Sequence, residues 1–318
     1  MMNKPPTKHF AILGSGAVGG YYGAKLARVG HRVSFLARGA HLAAMREGGL
    51  QIRSPLGDFT VPVEATDDPS LVGSVDVVLF TVKSYDNDTA LPMLVPLVGD
   101  RTVVLTLQNG IDSADEVAAV VGESHVLGGA TYIATGLAQP GLIEQTGTHR
   151  KIVFGEVFGQ RSRVSDRVVA LGRLMEPADI EVETVVDARR QLWEKLIYLC
   201  PFAAFTGAAR SPIGVLWNDV DTQARFMAAV AEVEAVARAE GVNVSATVTE
   251  EVREYMDSLP PETRSSMLID LSQGKRIELE ALQGTIVRRG QALGIATPII
   301  AALYAELRPH AGGASACE

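Results

Sequence analysis

A short apolar run, His9 to Leu13, leads straight into Gly14-Ser15-Gly16-Ala17-Val18-Gly19, and a helical stretch from Ala17 to Val29 follows before Gly30 stops it. Few features restrict a fold as much. A strand that turns at once into a helix needs glycine in three places. The first allows the tight turn, the second lets a pyrophosphate approach the backbone, and the third lets the helix lie close to the strand. The helix start also offers free N–H groups and a partial positive charge to phosphate. Glycines alone make a weak motif, and a ligand-free turn is the plain alternative. With a strand before it and a helix after it, the hexapeptide predicts a dinucleotide site built from Gly14, Ser15, Gly16, Ala17, Val18 and Gly19.

The alternation continues along the chain. Arg32 to Ala37, Val75 to Val82, Val103 to Leu107 and Lys151 to Phe154 are further short apolar runs, the last after a turn-rich stretch from Gln139 to Gly147. Strands alternating with helices predict parallel pairing through right-handed crossovers, hence an α/β fold with a Rossmann-type doubly wound sheet. After about Asp187 helical spacing takes over. Phe226, Val230, Val233 and Ala237 recur at helical intervals behind Asp221, a candidate N-cap, and Gly241 closes the run. A second helix is expected between Pro260-Pro261 and Gly274, and a third with Leu279, Leu282, Ile286 and Leu293 on one face. At 318 residues the chain exceeds the roughly 250–300 at which one core stops growing. The expected division is a dinucleotide-binding domain, residues 1–186, followed by an all-helical C-terminal domain, 187–318, that supplies catalysis and holds substrate.

Charge and cysteine usage narrow the partners. With 29 Lys and Arg against 37 Asp and Glu, the net charge of −8 repels phosphate backbones and anionic lipid, so neither nucleic acid nor membrane is expected as a partner. The apolar run Leu196 to Ala209 has 14 residues, short of the ~20 of a spanning helix, and Met1 to Leu13 shows no apolar stretch of signal-peptide length, so a soluble protein is expected. Cys200 and Cys317 form no disulfide framework, which suits a reducing cytoplasm, and the six histidines show no metal-ligand spacing. The amphipathic C-terminal helices are suited to a homodimer contact.

Five further residues carry candidate chemistry. The second strand ends Phe35-Leu36-Ala37-Arg38, where NAD-binding proteins place a carboxylate. A guanidinium instead can grip a 2′-phosphate with charge-assisted bonds, so Arg38 predicts NADPH, against an ordinary surface arginine. Phe80-Thr81-Val82-Lys83 and Leu107-Gln108-Asn109-Gly110 put Lys83 and Asn109 at the carboxyl ends of strands, the edge where such sheets bind ligands. Lys195, within Leu192-Trp193-Glu194-Lys195-Leu196, stands at the edge of an apolar run that would lower its pKa toward proton-transfer range, unless it snorkels to water. Glu278 lies in Lys275-Arg276-Ile277-Glu278-Leu279-Glu280, where a surface ion pair is the alternative.

In order and spacing these segments resemble the ketopantoate reductases (2-dehydropantoate 2-reductases) nearly end to end. Also part of the resemblance are Ser265-Ser266-Met267-Leu268-Ile269-Asp270, Arg288-Arg289 and Gly294-Ile295-Ala296-Thr297-Pro298. It implies an NADP-dependent oxidoreductase acting on CH–OH groups, which reduces a 2-oxo acid to a 2-hydroxy acid as ketopantoate is reduced to pantoate in pantothenate biosynthesis. It further implies that Lys195 is the catalytic general acid, that Glu278 assists catalysis and holds substrate or cofactor, and that Asn109 lies at the nicotinamide and the substrate. By the same resemblance Lys83 and Ala134 touch the cofactor, and Ser266 binds the substrate.

The resemblance breaks at three positions. Leu199, Ala203 and Ile213 stand where the family usually has asparagines that hold the substrate's polar groups. A paralogous reductase of a more apolar 2-oxo acid is therefore one alternative, and a non-catalytic NADPH-binding sensor another. A 3-hydroxyacid dehydrogenase would carry a glycine-rich segment before its lysine, and Val185 to Glu194 contains no glycine.

Overall fold

The structure is a computed structural model and describes residues 7–159 and 162–314. Twelve strands occur in chain order: β1 (His9–Leu13), β2 (Arg32–Leu36), β3 (Leu50–Arg53), β4 (Phe59–Val61), β5 (Glu64–Thr66), β6 (Val77–Phe80), β7 (Val103–Thr106), β8 (Val126–Tyr132), β9 (Thr135–Gln139), β10 (Leu142–Gln145), β11 (Lys151–Glu156) and β12 (Glu181–Asp187). Eight of them form one sheet in the order β12-β11-β8-β7-β6-β1-β2-β5. The strand order reverses at β1, which pairs in parallel with β2 on one side and β6 on the other. That reversal leaves a crevice at the carboxyl ends of β1 and β6, the usual ligand position in a doubly wound sheet.

Two features depart from the sequence expectation. The sheet is mixed, because β11 runs antiparallel to β8, and the antiparallel pair β9–β10 rather than a helical crossover joins the two. A second, four-stranded sheet, β4-β3-β10-β9, takes in the stretch Gln139 to Gly147 that the turn residues suggested was irregular. Its strands have only three to five residues, too short for alternation to stand out from the turns around them.

Helix α1 (Ala17–Arg28) explains the second sheet. It packs on β1 and β2 of the large sheet and on β3, β4, β9 and β10 of the small one. Only a helix with small residues on opposing faces can approach two sheets so closely. A Cβ at Gly19 would stand 2.4 Å from the Gly14 carbonyl and 2.2 Å from the Thr81 hydroxyl, and one at Gly20 would stand 2.3 Å from the Ile143 side chain. Tyr21, Tyr22, Phe10, Ile12, Phe35 and Phe154 fill the core around it.

The remaining helices are α2 (Gly39–Gly48), α3 (Asn87–Ala90), α4 (Ser113–Val121), α5 (Asp166–Met175), α6 (Ala188–Ala209), α7 (Ile213–Trp217), α8 (Val220–Ala239), α9 (Val248–Ser258), α10 (Ser266–Ser272), α11 (Thr285–Leu293) and α12 (Pro298–Leu307). The described residues fall into two compact units. One runs to Gln108 and resumes over Ser113–Gln191; the other consists of Asn109–Asp112 and the chain from Leu192. The second unit is wholly helical apart from its connections, with Phe226, Val230, Val233 and Ala237 of α8 in its core. Its first long helix after α6 is capped by Asp219, whose carboxylate accepts from the Thr222 amide at 2.7 Å, rather than by Asp221 two residues later. The expected helix after Pro260-Pro261 waits until Ser265, a side-chain N-cap, and α9 was not anticipated at all. Leu279, Leu282 and Ile286 are buried as their spacing requires, but Leu293, at the last turn of α11, is exposed. A π-helical turn, Glu280–Gly284, precedes α11. Among the described residues no helix is long and apolar enough to cross a membrane.

Gly19→Ala is expected to destabilise the protein by about 1–3 kcal/mol, because neither the Gly14 carbonyl nor β6 can retreat. Gly16, with open space where a Cβ would be, is the control: Gly16→Ala should cost less than about 1 kcal/mol, the difference between two residues at an uncapped helix start. Thermal denaturation of both variants checks the contrast.

Candidate active site

The glycine turn is held by groups that leave its outer face open. Gly14 has φ +99°, a conformation L side chains rarely adopt, and its Cβ would meet the Val82 amide nitrogen at 2.5 Å. The Thr81 hydroxyl donates to the Gly14 carbonyl at 2.9 Å, and the Ser15 hydroxyl donates to the Ile12 carbonyl at 3.1 Å. His41 closes the turn from behind. Its Nδ1 accepts from the Gly141 amide at 3.0 Å, so the neutral ring carries its proton on Nε2 and donates it to the Ser15 carbonyl at 2.8 Å. No side chain caps α1 at Gly16, and nothing lies within 4 Å of the position its Cβ would take. Uncapped amides beside an empty Cβ position fit a pyrophosphate. Of the six turn residues, Ser15 and Gly19 are buried, while Gly14, Gly16, Ala17 and Val18 are partly open.

The nucleotide-side candidates lie at the ends of β2, β6 and β8. Arg38, 76% exposed, pairs with Asp86 at 2.8 Å and precedes α2, whose N-terminus has no side-chain cap. Lys83 is half-buried and precedes a single 3₁₀ turn, Ser84–Asp86. Buried Gln108 brackets that turn, its Nε2 donating to the Val82 carbonyl at 2.9 Å and to Asn87 Oδ1 at 2.7 Å. Ala134 is exposed between β8 and β9, and its carbonyl accepts from the Thr146 amide at 2.9 Å.

The helical unit gathers three of the sequence candidates into one hydrogen-bonded set. Lys195, on α6, is only 8% exposed, and Glu278, just before the helical turn that leads to α11, only 6%. Lys195 Nζ donates to Asn109 Oδ1 at 3.0 Å, and Asn109 Nδ2 donates to Glu278 Oε2 at 3.3 Å. An ammonium can only donate and a carboxylate can only accept, so the two partners fix which way the amide faces. Burial pushes the Lys195 pKa down from 10.5 to about 8, while the charge of Glu278 pulls it up. The Glu278 carbonyl accepts the Leu282 amide at 3.2 Å, so the carboxylate sits at a helix start, where negative charge is favoured. Lys195 therefore does not snorkel to water, nor is Glu278 a surface residue.

Ser266 is exposed at the first position of α10. Its neighbour Ser265 is the buried one: its hydroxyl caps α10 through the Leu268 amide at 3.0 Å and meets the Thr206 hydroxyl at 2.7 Å. Leu199, one turn beyond Lys195 on the same helix face, is half-buried against the helical core, and Ala203 and Ile213 lie within that core. Sequence reasoning missed His41 and Thr81, both of which act on carbonyls of the glycine turn. Thr81 stood one step from a noted strand end. A lone histidine in a helix gave no sign of its role.

Residues 10–159 match the family profile described as ketopantoate reductase PanE/ApbA, and residues 187–311 match that of its C-terminal domain. A 2-dehydropantoate 2-reductase from Nostoc sp. is 30% identical over 304 residues, which cover 95% of this chain and 94% of the relative. The crystal structure of a PanE/ApbA family ketopantoate reductase from Ralstonia eutropha JMP134 superposes with a TM-score of 0.87 at 36% identity, covering 95% of this chain and 98% of the other. A D-mandelate dehydrogenase solved with NADH and anilino(oxo)acetate shares the fold, with a TM-score of 0.87 at 20% identity, covering 95% of this chain and 98% of the other. With both profiles matched in order over most of its length, the chain belongs to the ketopantoate reductase family, oxidoreductases of the CH–OH group that use a nicotinamide cofactor.

Proposed function

We propose that this chain reduces a 2-oxo acid to the 2-hydroxy acid with NADPH in the cytoplasm, ketopantoate being the first substrate to consider, with Lys195 as proton donor. The observation that carries this is the buried Lys195 ammonium, hydrogen-bonded to Asn109 and opposed by Glu278. A nicotinamide, when bound, supplies the hydride. The residues of the chain do the rest. Gly14, Ser15, Gly16, Ala17, Val18 and Gly19 would hold the pyrophosphate, and Lys83 and Ala134 would lie along the dinucleotide. Arg38 with the uncapped start of α2 would take the 2′-phosphate.

Hydride addition to a ketone builds negative charge on its oxygen. Lys195 meets that charge with an ammonium and then gives up a proton, together a factor of ~10²–10⁴. A pKa of about 8 keeps the group charged at neutral pH yet acidic enough to release its proton. Asn109 accepts one of the ammonium hydrogens and so orients the amine. Glu278 holds the amine in its charged form, and Ser266 would bind the acid's polar end.

Leu199, Ala203 and Ile213 favour a second reading, in which the acid's side chain is more apolar than that of ketopantoate. The two are separated by the ratio of kcat/KM for ketopantoate and trimethylpyruvate, which has a methyl in place of the hydroxymethyl. A site that hydrogen-bonds the hydroxyl should reject the analogue by about 10⁴ or more, whereas an apolar pocket should discriminate by less than about 10². No NADPH oxidation with any of a panel of 2-oxo acids, despite NADPH binding, would leave only the sensor.

Four outcomes are expected beyond that ratio. Lys195→Ala should lower kcat by at least ~10²-fold while leaving the dissociation constant for NADPH within a few-fold of the parent's, as read by cofactor fluorescence. Arg38→Ala should weaken NADPH by about 10–100-fold and leave NADH nearly unchanged, the loss of one or two charge-assisted bonds. In the reduction direction kcat/KM should fall as pH rises through about 8, where Lys195 loses its proton. Because the Glu278 charge raises that pKa, Glu278→Gln should move the fall to lower pH; a shift upward would contradict the assigned geometry.

A further inference from the structure

We propose that Arg289 is a positioning residue for the site: its guanidinium fixes the Asn109–Asp112 segment and thereby keeps Asn109 oriented between Lys195 and Glu278. This rests on the assignment of Lys195 as proton donor.

Arg289 lies on α11, and each of its three nitrogens donates to a different acceptor. Nη2 reaches Asp112 Oδ1 at 2.5 Å, Nη1 reaches Glu240 Oε1 at 2.8 Å, and Nε reaches the Thr285 hydroxyl at 3.2 Å. Glu240 caps the end of α8 and Thr285 begins α11, so the fork ties two helices to one short loop. A lysine could not make three bonds in that fixed plane. Both carboxylates are largely covered, as is the arginine, and none of the three belongs to the proton-donating set itself.

The loop leaves little freedom once Asp112 is held. Gly110 has φ +95°, and a Cβ there would stand 2.7 Å from the Ala281 carbonyl, so the backbone lies directly against the π-helical turn that follows Glu278. Ile111 packs on the helical core. Each residue after Asn109 is thus fastened to the helices, by backbone contact, by apolar packing and by an ion pair. Partly exposed ion pairs contribute little to stability, so the value of this one lies in direction. Small displacements of a reacting group are costly: misplacement by about 1 Å can lower a rate ~10²-fold.

The test uses the full chain with NADPH and ketopantoate. Arg289→Lys and Asp112→Asn should each lower kcat about 10–100-fold with KM for the oxo acid within about threefold. Glu240→Gln, which leaves the Asp112 bond intact, should change kcat less than about threefold. In an Asn109→Ala background, Arg289→Lys should add less than about twofold, since residues that act through one group are not additive. A second arm needs no turnover: amides of residues 110–112 should exchange with deuterium at least about tenfold faster in Arg289→Lys and Asp112→Asn, and at the parent rate in Glu240→Gln. The proposal is overturned if Glu240→Gln costs as much as Asp112→Asn, if the Arg289→Lys loss persists undiminished without Asn109, or if exchange does not change. A parent enzyme that turns over no oxo acid would remove the proposed function, and the exchange arm would still decide whether Arg289 holds the loop.

Discussion

An ammonium removed from water costs several kcal/mol unless acceptors replace the solvent, and the helical unit is arranged around meeting that demand for Lys195. Its helix continues as Leu196, Ile197, Tyr198, Leu199 and Cys200, which lie in or against an apolar core. An acceptor and a counter-charge come from elsewhere in sequence. Asn109 arrives on a four-residue segment that packs with the helices, although the residues before and after it pack with the sheets. Glu278 arrives at the start of a helix, where the backbone dipole offsets part of its charge. Removing either would leave a buried charge under-satisfied, a heavier loss than the hydrogen bond itself. The lowered Lys195 pKa is the residue of that tension, and it is what would suit the group to the proton transfer proposed for it.

The sheet unit solves a different problem, keeping a backbone surface bare. Phosphate binding needs unpaired amides, yet a buried turn with unpaired amides is unstable. The inward carbonyls are therefore tied down by Thr81 and His41, while no side chain caps the start of α1. Small residues on α1 let two sheets clamp the helix, so the turn is rigid without a capping side chain. Rigidity matters because a site that must order itself on binding loses affinity to that ordering.

How much of this was legible depended on how local each cause is. The glycine turn, β1 with its neighbours and the buried face of α8 follow from residues adjacent in sequence or one helical turn apart. The mixed sheet direction and the four-stranded sheet depend on which distant strands meet, and strands of three to five residues carry too little pattern to say. The same limit applied at the site. Lys195, Asn109 and Glu278 could each be noted from local context or family resemblance, but spacing could not bring residues 86 and 169 positions apart into one hydrogen-bonded set. His41 was illegible because both of its partners are backbone atoms, which leave no mark on the side-chain pattern.

The departures at Leu199, Ala203 and Ile213 acquire a physical meaning from where those residues lie. Ala203 and Ile213 are enclosed by the helical core, packed among Ile197, Phe205 and Phe226 and their neighbours. An asparagine returned to either position would bring an amide into that core, and an amide left unpaired there costs about 1–3 kcal/mol. Recognition of a polar substrate side chain could therefore not be restored at those positions by substitution alone; the surrounding helices would have to repack as well. Leu199 differs, being half-buried one turn from Lys195, where a change would not open the core. On the proposed reading, reaction type would rest on the buried amine of α6 with Asn109 and Glu278, and substrate choice on the apolar packing of α6 and α7 beyond it.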